Sequence, residues 1–160
     1  MRIDNILYYI LIVFLFIGCS YTFSLSVFGD VETIYIPFVD NKTSREDISI
    51  IVYNKLIEYI KKNYPSLVIS NNKDKSDLII ETIVEEYFRD VSEYTQEGDV
   101  ERYKVVLKIK YKIYKKGKKI LNKEIISEGY YTPEEIEQKA IEESIQQSFN
   151  RVFSSLENNW

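Results

Sequence analysis

The chain is long enough for one domain and too short for two ordinary ones, since it has 160 residues. Hydrophobic residues make up 45% and aromatic residues 14% of it, which is ample for a packed core and excludes a mainly disordered chain. The net charge of −4 argues against general nucleic-acid binding, which needs a basic surface. The chain has no histidine, so it lacks the commonest general base and the commonest metal ligand. It has one cysteine, which excludes an intrachain disulfide and a cysteine-based zinc site.

Residues 1–18 are predicted to be a lipoprotein signal peptide. Residues 6–17 form an apolar run that is too short to span a bilayer, which takes about 20 residues, but fits the apolar region of a secretory leader. The run ends at Gly18 and Cys19, and a small residue directly before a cysteine resembles the bacterial lipobox. That resemblance implies cleavage before Cys19 and acylation there, which would give stable membrane anchoring. Ser20 stands where an Asp would imply retention at the inner membrane, so the outer membrane is favoured.

The mature chain is predicted to consist of a linker, residues 19–32, and one domain, residues 33–160. Its first part is predicted to hold a strand over Thr33–Val39 that ends near Pro37. A turn follows, in which Thr43 or Ser44 caps a helix over Arg45–Lys62. A short strand is expected at Leu67–Ile69.

The second part is predicted to be an antiparallel meander and a final helix. Strands are expected over Asp77–Arg89, Arg102–Tyr114 and Lys119–Tyr131, with a loop over Asp90–Glu101 and a tight turn at Lys115–Lys118. The final helix is expected to begin at Pro133 with Thr132 as its cap. The fold class is therefore α+β, with two amphipathic helices packed on one face of a four- to five-stranded, mostly antiparallel sheet.

Lysines crowd the predicted hairpin and form the candidate binding site. An array of ammonium groups suits phosphates and acidic sugars, because such contacts are charge-assisted. The alternative interpretation is a solvated outer face, on which lysines guard against edge-to-edge aggregation. The candidate residues are Lys104, Lys108, Lys110, Lys112, Lys115, Lys116 and Lys118, with Lys119 and Lys123 nearby.

No residue pattern indicates an enzyme, and no cofactor or metal is expected. Three pairs of adjacent glutamates occur, but neighbouring residues of a strand point to opposite faces, and such pairs on helices are usually solvated. A nucleophilic mechanism without histidine would need a motif that the sequence does not contain. The pairs are Glu85–Glu86, Glu134–Glu135 and Glu142–Glu143.

Several motifs, in a shared order, resemble the LptE family. Cys19 is followed by Ser20 and Tyr21, where the family often has Cys-Gly-Tyr. Residues 33–38 (Thr-Ile-Tyr-Ile-Pro-Phe) and 41–43 (Asn-Lys-Thr) are similar to the family's first strand and turn. Residues 76–83 (Ser-Asp-Leu-Ile-Ile-Glu-Thr-Ile) resemble a later strand, and the final apolar-striped helix with Trp160 matches the family's end.

The resemblance implies a lipid-anchored protein at the periplasmic face of the outer membrane. It implies that the domain partners an LptD-like β-barrel, plugs or stabilises it, binds lipopolysaccharide and performs no catalysis. The alternative is an envelope lipoprotein resembling the LpoB and CsgG groups, which would act as a synthase activator or a secretion-pore component. Those groups also place a strand and an Asn-containing turn before their first helix, but usually with more glycine than the five residues here.

Overall fold

The computed structural model describes residues 29–157. The predicted leader, Cys19 and Trp160 therefore lie outside the described residues. The elements in chain order are β1 (Thr33–Tyr35), β2 (Asp40–Asn41), α1 (Ile48–Asn63), β3 (Val68–Ser70), a 3₁₀ turn (Lys73–Lys75), β4 (Leu78–Tyr94), β5 (Val100–Lys115), β6 (Lys118–Tyr131) and α2 (Glu137–Glu157).

The strands form one mixed sheet in the order β3-β1-β4-β5-β6, with β2 also paired to β4. The short strands pair in parallel, and the three long strands form an antiparallel meander. The predicted α+β class is confirmed, with six strands in place of four to five. The added strand is β2, which lies in the segment predicted to be a turn, while the first predicted strand ends at Tyr35, before Pro37, which lacks a backbone N–H. Tyr35 pairs with Ile79, and Asp40 pairs with Ile83. Between these pairs, the four residues 36–39 lie opposite the three residues 80–82 of β4.

Both helices cover the same face of the sheet, as predicted. In β5, Leu107, Ile109, Tyr111 and Ile113 are fully buried beneath them. The helices contribute regularly spaced side chains to this core, which are Ile48, Val52, Leu56 and Ile60 from α1, and Ala140, Ile141, Ile145, Phe149 and Val152 from α2. The other face of the sheet has no helix against it within residues 29–157. The hydrophobic core of the described residues therefore lies in one layer, between the sheet and the two helices.

Two helix starts were predicted too early. Helix α1 begins at Ile48, and the preceding Asp47 makes no side-chain capping bond. The Asn41 amide donates to the Arg45 carbonyl at 2.8 Å and holds the intervening residues in a loop. Helix α2 begins at Glu137, because Thr132–Glu135 close a turn. There the Thr132 N–H donates to the Glu135 carboxylate at 3.0 Å.

The predicted loop at Asp90–Glu101 is wrong, since most of it belongs to β4 and β5. The strands continue to Tyr94 and resume at Val100, and the Thr95 N–H donates to the Asp99 carbonyl at 2.8 Å across the turn. These residues are polar because this part of the hairpin is solvent-exposed, not because it lacks backbone pairing. No helix within residues 29–157 has both the length and the apolar content that crossing a membrane requires.

Candidate functional site

The candidate site lies on the face of the sheet away from the helices, here called the open face. It is formed by the alternate residues of β5, Lys104, Val106, Lys108, Lys110 and Lys112, with their neighbours on β4 and β6. The four lysines are half-buried, since their aliphatic stems lie along the sheet. The predicted lysine row therefore exists on one strand face.

Lys108 and Lys110 are held by carboxylates of both neighbouring strands. The Lys108 ammonium lies 3.2 Å from the Glu86 carboxylate, and the Lys110 ammonium lies 2.8 Å from that of Glu124. Glu85 lies 3.6 Å from Lys108 and 3.9 Å from Lys110. The hydrogen bond with Glu86 raises the pKa of Lys108, and the bond between Lys110 and Glu124 raises the pKa of Lys110 and lowers that of Glu124. This central pair of lysines is thus largely neutralised.

Lys104 and Lys112 are the lysines of the row that make no ion pair with residues 29–157. Glu81 lies opposite Lys112 in the β4–β5 register, but its carboxylate pairs with Lys73 at 3.2 Å. Lys104 lies between Asp90 and Tyr130 in the register. The two ends of the row therefore carry ammonium groups that an anionic ligand could engage without displacing a carboxylate.

The candidate lysines of the turn form a separate group at one end of the sheet. Lys115 and Lys116 pair with Asp30 at 2.5 Å and 2.7 Å, and the bond with Lys115 is the main cause that lowers the pKa of Asp30. Lys118 is exposed and has no ion pair among the described residues. Positive φ angles at Lys116 and Gly117, 47° and 77°, make the tight turn. The predicted site is thus two lysine groups, one on the open face and one at the turn.

Two further hairpin lysines lie outside both groups. Lys123 donates to the Ser155 hydroxyl of α2 at 2.6 Å. Lys119 lies over the Tyr114 ring, with its ammonium 5.9 Å from the ring centre. These contacts are compatible with a structural role for both residues.

Sequence reasoning missed the carboxylates that neutralise the row. In the sequence, Glu85 and Glu86 stand out only as an adjacent acid pair, and the local pattern does not connect Glu124 with the lysines. A strand bulge between Val84 and Glu86 turns both glutamates towards Lys108, which simple alternation does not predict. Both glutamates are thus partners of the lysine row.

Exposed apolar side chains accompany the lysines on the open face. Phe88 on β4 and Ile126 and Tyr130 on β6 are 46%, 57% and 39% exposed. Phe88 lies opposite Val106, and Ile126 lies opposite Lys108. The open face therefore offers cationic and apolar contacts side by side, an arrangement that suits an amphiphile.

A second polar cluster joins the loop before α1 to β4 and α2 on the helix-covered side. Arg45 donates to the Tyr87 hydroxyl at 2.7 Å and pairs with Glu137 at 3.2 Å, while Tyr87 also donates to Glu137. Burial is the main cause that raises the pKa of Tyr87. Because these groups satisfy one another, the cluster is best explained as a structural tie between the three elements.

No group of three potential metal-ligating side chains occurs within residues 29–157. The remaining carboxylate pairs are solvated or engaged elsewhere. Glu135 pairs with Lys139 at 2.7 Å, and Glu142 pairs with Lys55 at 2.8 Å. The described geometry therefore gives a small α+β domain with a charged open face.

Solved structures share this fold at low sequence identity. A hypothetical protein from Chlamydia trachomatis is 5% identical with a TM-score of 0.59, and covers 81% of this chain and 97% of its own. PelC from Paraburkholderia phytofirmans, a dodecamer, is 9% identical with a TM-score of 0.52, and covers 74% and 86%. Rare lipoprotein B from Shewanella oneidensis is 14% identical with a TM-score of 0.49, and covers 79% and 94%. The first two likenesses, with TM-scores above 0.5, concern the fold alone.

The particular family follows from the sequence match. The family model LptE, lipopolysaccharide-assembly, matches residues 31–156, which is nearly all of the described chain. No curated protein matches the chain. The chain belongs to the LptE family of lipopolysaccharide-assembly proteins, which confirms the family that its motifs resemble.

Proposed function

We propose that the chain is an outer-membrane lipoprotein that partners an LptD-like β-barrel translocon and assembles lipopolysaccharide at the cell surface. Acyl chains on Cys19 would hold it at the periplasmic face after removal of residues 1–18. The domain would plug or stabilise the barrel, and its role would be binding and not catalysis. The family match over residues 31–156 is the observation that carries this proposal.

The open face is the proposed surface for lipopolysaccharide. Lys104 and Lys112 would contact phosphate or carboxylate groups, because no carboxylate of the described chain occupies them. Lys108 and Lys110 would first have to leave their glutamates, so they would add less. Exposed Phe88 and Ile126 would contact apolar parts of the same amphiphile. The turn lysines Lys115, Lys116 and Lys118 are the second proposed contact.

Purification of the chain from outer membranes in mild detergent, followed by mass spectrometry of what accompanies it, tests this function. We expect a large β-barrel in stoichiometric amount. A peptidoglycan synthase, or a ring of identical copies, would instead favour the LpoB-like or CsgG-like alternative. The Cys19→Ser variant is the control, because it should be absent from the outer membrane if Cys19 carries the anchor.

A further inference from the structure

The charges of the described chain are divided between two ends of the sheet. The basic end contains segments 30–33, 61–81 and 112–119 and Glu157, with nine lysines and six carboxylates, a net charge of +3. The acidic end contains segments 42–47, 86–104 and 128–139, with twelve carboxylates and six lysines and arginines, a net charge of −6. This polarity is hidden in the overall charge of −4.

Backbone contacts bring the segments of the basic end together. The Asp77 carboxylate accepts bonds from the Glu32 and Thr33 N–H groups at 3.1 Å and 3.0 Å. The Lys116 N–H donates to the Asp77 carbonyl at 2.7 Å, which places the β5–β6 turn beside the start of β4. Val68 pairs with Thr33 in the register, so the carboxyl end of α1 lies at the same end. The lysines of these segments therefore form one surface.

Several lysines of this surface are exposed and make no ion pair with the described residues. They are Lys61 and Lys62 in the last turn of α1, Lys75 in the 3₁₀ turn, and Lys118 after the hairpin turn. Val68 adds an exposed apolar side chain, 63% accessible, on the edge strand. Ammonium groups that no internal carboxylate occupies are free to meet an external anionic surface.

The proposed anchor enters the domain at this same end. Asp30, which pairs with Lys115 and Lys116, is 11 residues from Cys19, and 11 fully extended residues span at most about 40 Å. Strand β5 has 16 residues and runs from one end of the sheet to the other, so the acidic end lies about 50 Å from the basic end. A membrane that holds Cys19 therefore lies within reach of the basic end.

From these observations we propose that the basic end docks on the anionic phospholipid headgroups of the leaflet that holds the anchor, with the acidic end directed away from it. The inference rests on the proposed lipid anchor at Cys19 and adds an orientation to it. Each lysine near an anionic surface strengthens contact about fivefold. The acidic end would be repelled by the same surface, so the two ends act together to orient the domain.

The test uses the full-length protein reconstituted in vesicles without lipopolysaccharide, either neutral or with a quarter anionic phospholipid. A fluorophore is attached at Ser66→Cys, an exposed position of the basic end, or at Gln96→Cys in the turn of the acidic end. Headgroup quenchers report contact with the membrane. We expect strong quenching at position 66 in anionic vesicles only, and little quenching at position 96. The quenching at position 66 should be lost in 1 M salt, because the screening length falls to about 3 Å.

Matched charge reversals separate docking from tethering. The variant Lys61→Glu/Lys62→Glu/Lys118→Glu should lose the quenching at position 66, since removing three lysines weakens contact about a hundredfold. The control Lys42→Glu/Arg102→Glu/Lys139→Glu makes the same change of net charge at the acidic end and should retain it. Equal quenching at position 66 in neutral and anionic vesicles, or stronger quenching at position 96, would overturn the proposal.

Failure of the anchor itself gives a different result. If Cys19 is not acylated, mass spectrometry shows an unmodified amino-terminal peptide and the dye also labels Cys19. If Cys19 is acylated and position 66 responds to neither anionic lipid nor salt, the anchor stands and the docking surface is refuted.

Discussion

Neighbouring residues of β5 lie in two different environments, and the two faces of this strand contribute differently to stability. Leu107, Ile109 and Tyr111 are completely buried beneath the helices, whereas Lys108, Lys110 and Lys112 lie on the open face. The first set stabilises the fold through burial of apolar surface, since a fully buried aliphatic side chain contributes about 2 kcal/mol. Exposed ion pairs typically contribute less than about 1 kcal/mol, so the lysines are not there mainly for stability. Substitutions on the open face should therefore cost less stability than substitutions on the face beneath the helices.

The largest expected effect is at Gly129, where β6 touches α2. A Cβ there would lie 1.8 Å from the Ala140 carbonyl oxygen and 2.6 Å from its carbon, and both are backbone atoms that a rotamer change cannot move. Gly129→Ala should therefore cost about 4 kcal/mol or more, measured by urea unfolding. Asn122→Ala, at an exposed position of the same strand, should cost little. A well-folded Gly129→Ala variant with unchanged stability would contradict the described packing.

The next prediction compares adjacent residues on the two faces. Leu107→Ala leaves a cavity in the core and should lower the free energy of unfolding by about 3 kcal/mol. Lys108→Ala removes the solvent-accessible ion pairs with Glu85, Glu86 and Glu124 and should lower it by about 1 kcal/mol. Thermal and urea unfolding of the two variants measures the difference, and similar losses in both would show that the faces do not differ as described.

A smaller effect is expected for the buried hydrogen bond between β5 and α2. The Tyr111 and Ser148 hydroxyls lie 2.7 Å apart and are both buried. Tyr111→Phe leaves the Ser148 hydroxyl without its partner and should cost about 1–2 kcal/mol. The double variant Tyr111→Phe/Ser148→Ala should cost less than the sum of the single variants, because the pair is coupled. Strict additivity in urea unfolding would refute that coupling.

The smallest effect is a pH dependence at Asp77, which joins β1 to β4. Backbone donation from Glu32 is the first cause that lowers its pKa, followed by the side chain and N–H of Thr33. A pKa below the unfolded value of about 3.9 stabilises the fold above that pH, and this contribution is lost as the pH falls through the folded-state pKa. Asp77→Asn should therefore lower the urea midpoint at pH 7 and flatten its fall below about pH 4. Parallel curves for the variant and the unchanged protein would rule this out.

Much of the fold could be predicted because the spacing of apolar residues in the sequence shows the periods of its strands and helices. The alternation of Val105, Leu107 and Ile109 with Lys108 and Lys110 identifies a half-buried strand without any other information. The helix starts could not be predicted as well, since the Asn41 and Glu135 side chains hold loops where propensity favours helix. The extended β4–β5 hairpin was missed because polar residues in a solvated hairpin resemble a loop.

The candidate site was predictable in composition but not in arrangement. The density of lysines in the hairpin was visible, and so was their position on one face of β5. Their ion pairs depend on the register of β4 and on its bulge at Glu85, which involve residues more than 20 positions away. The placement of Lys61 and Lys75 at the same end of the sheet as the hairpin turn likewise depends on the parallel pairing of β1 with β3 and β4, which local patterns do not contain.

Binding of lipopolysaccharide by purified protein tests most directly whether the open face is the functional face. The Lys104→Gln/Lys112→Gln variant removes the two lysines of the row that make no ion pair within residues 29–157, and leaves the internal pairs in place. We expect about tenfold weaker binding with unchanged thermal stability, while the control Lys42→Gln/Lys139→Gln should bind like the original protein. Equal affinity for both variants would contradict the account and return the lysine row to the role of a solvated face.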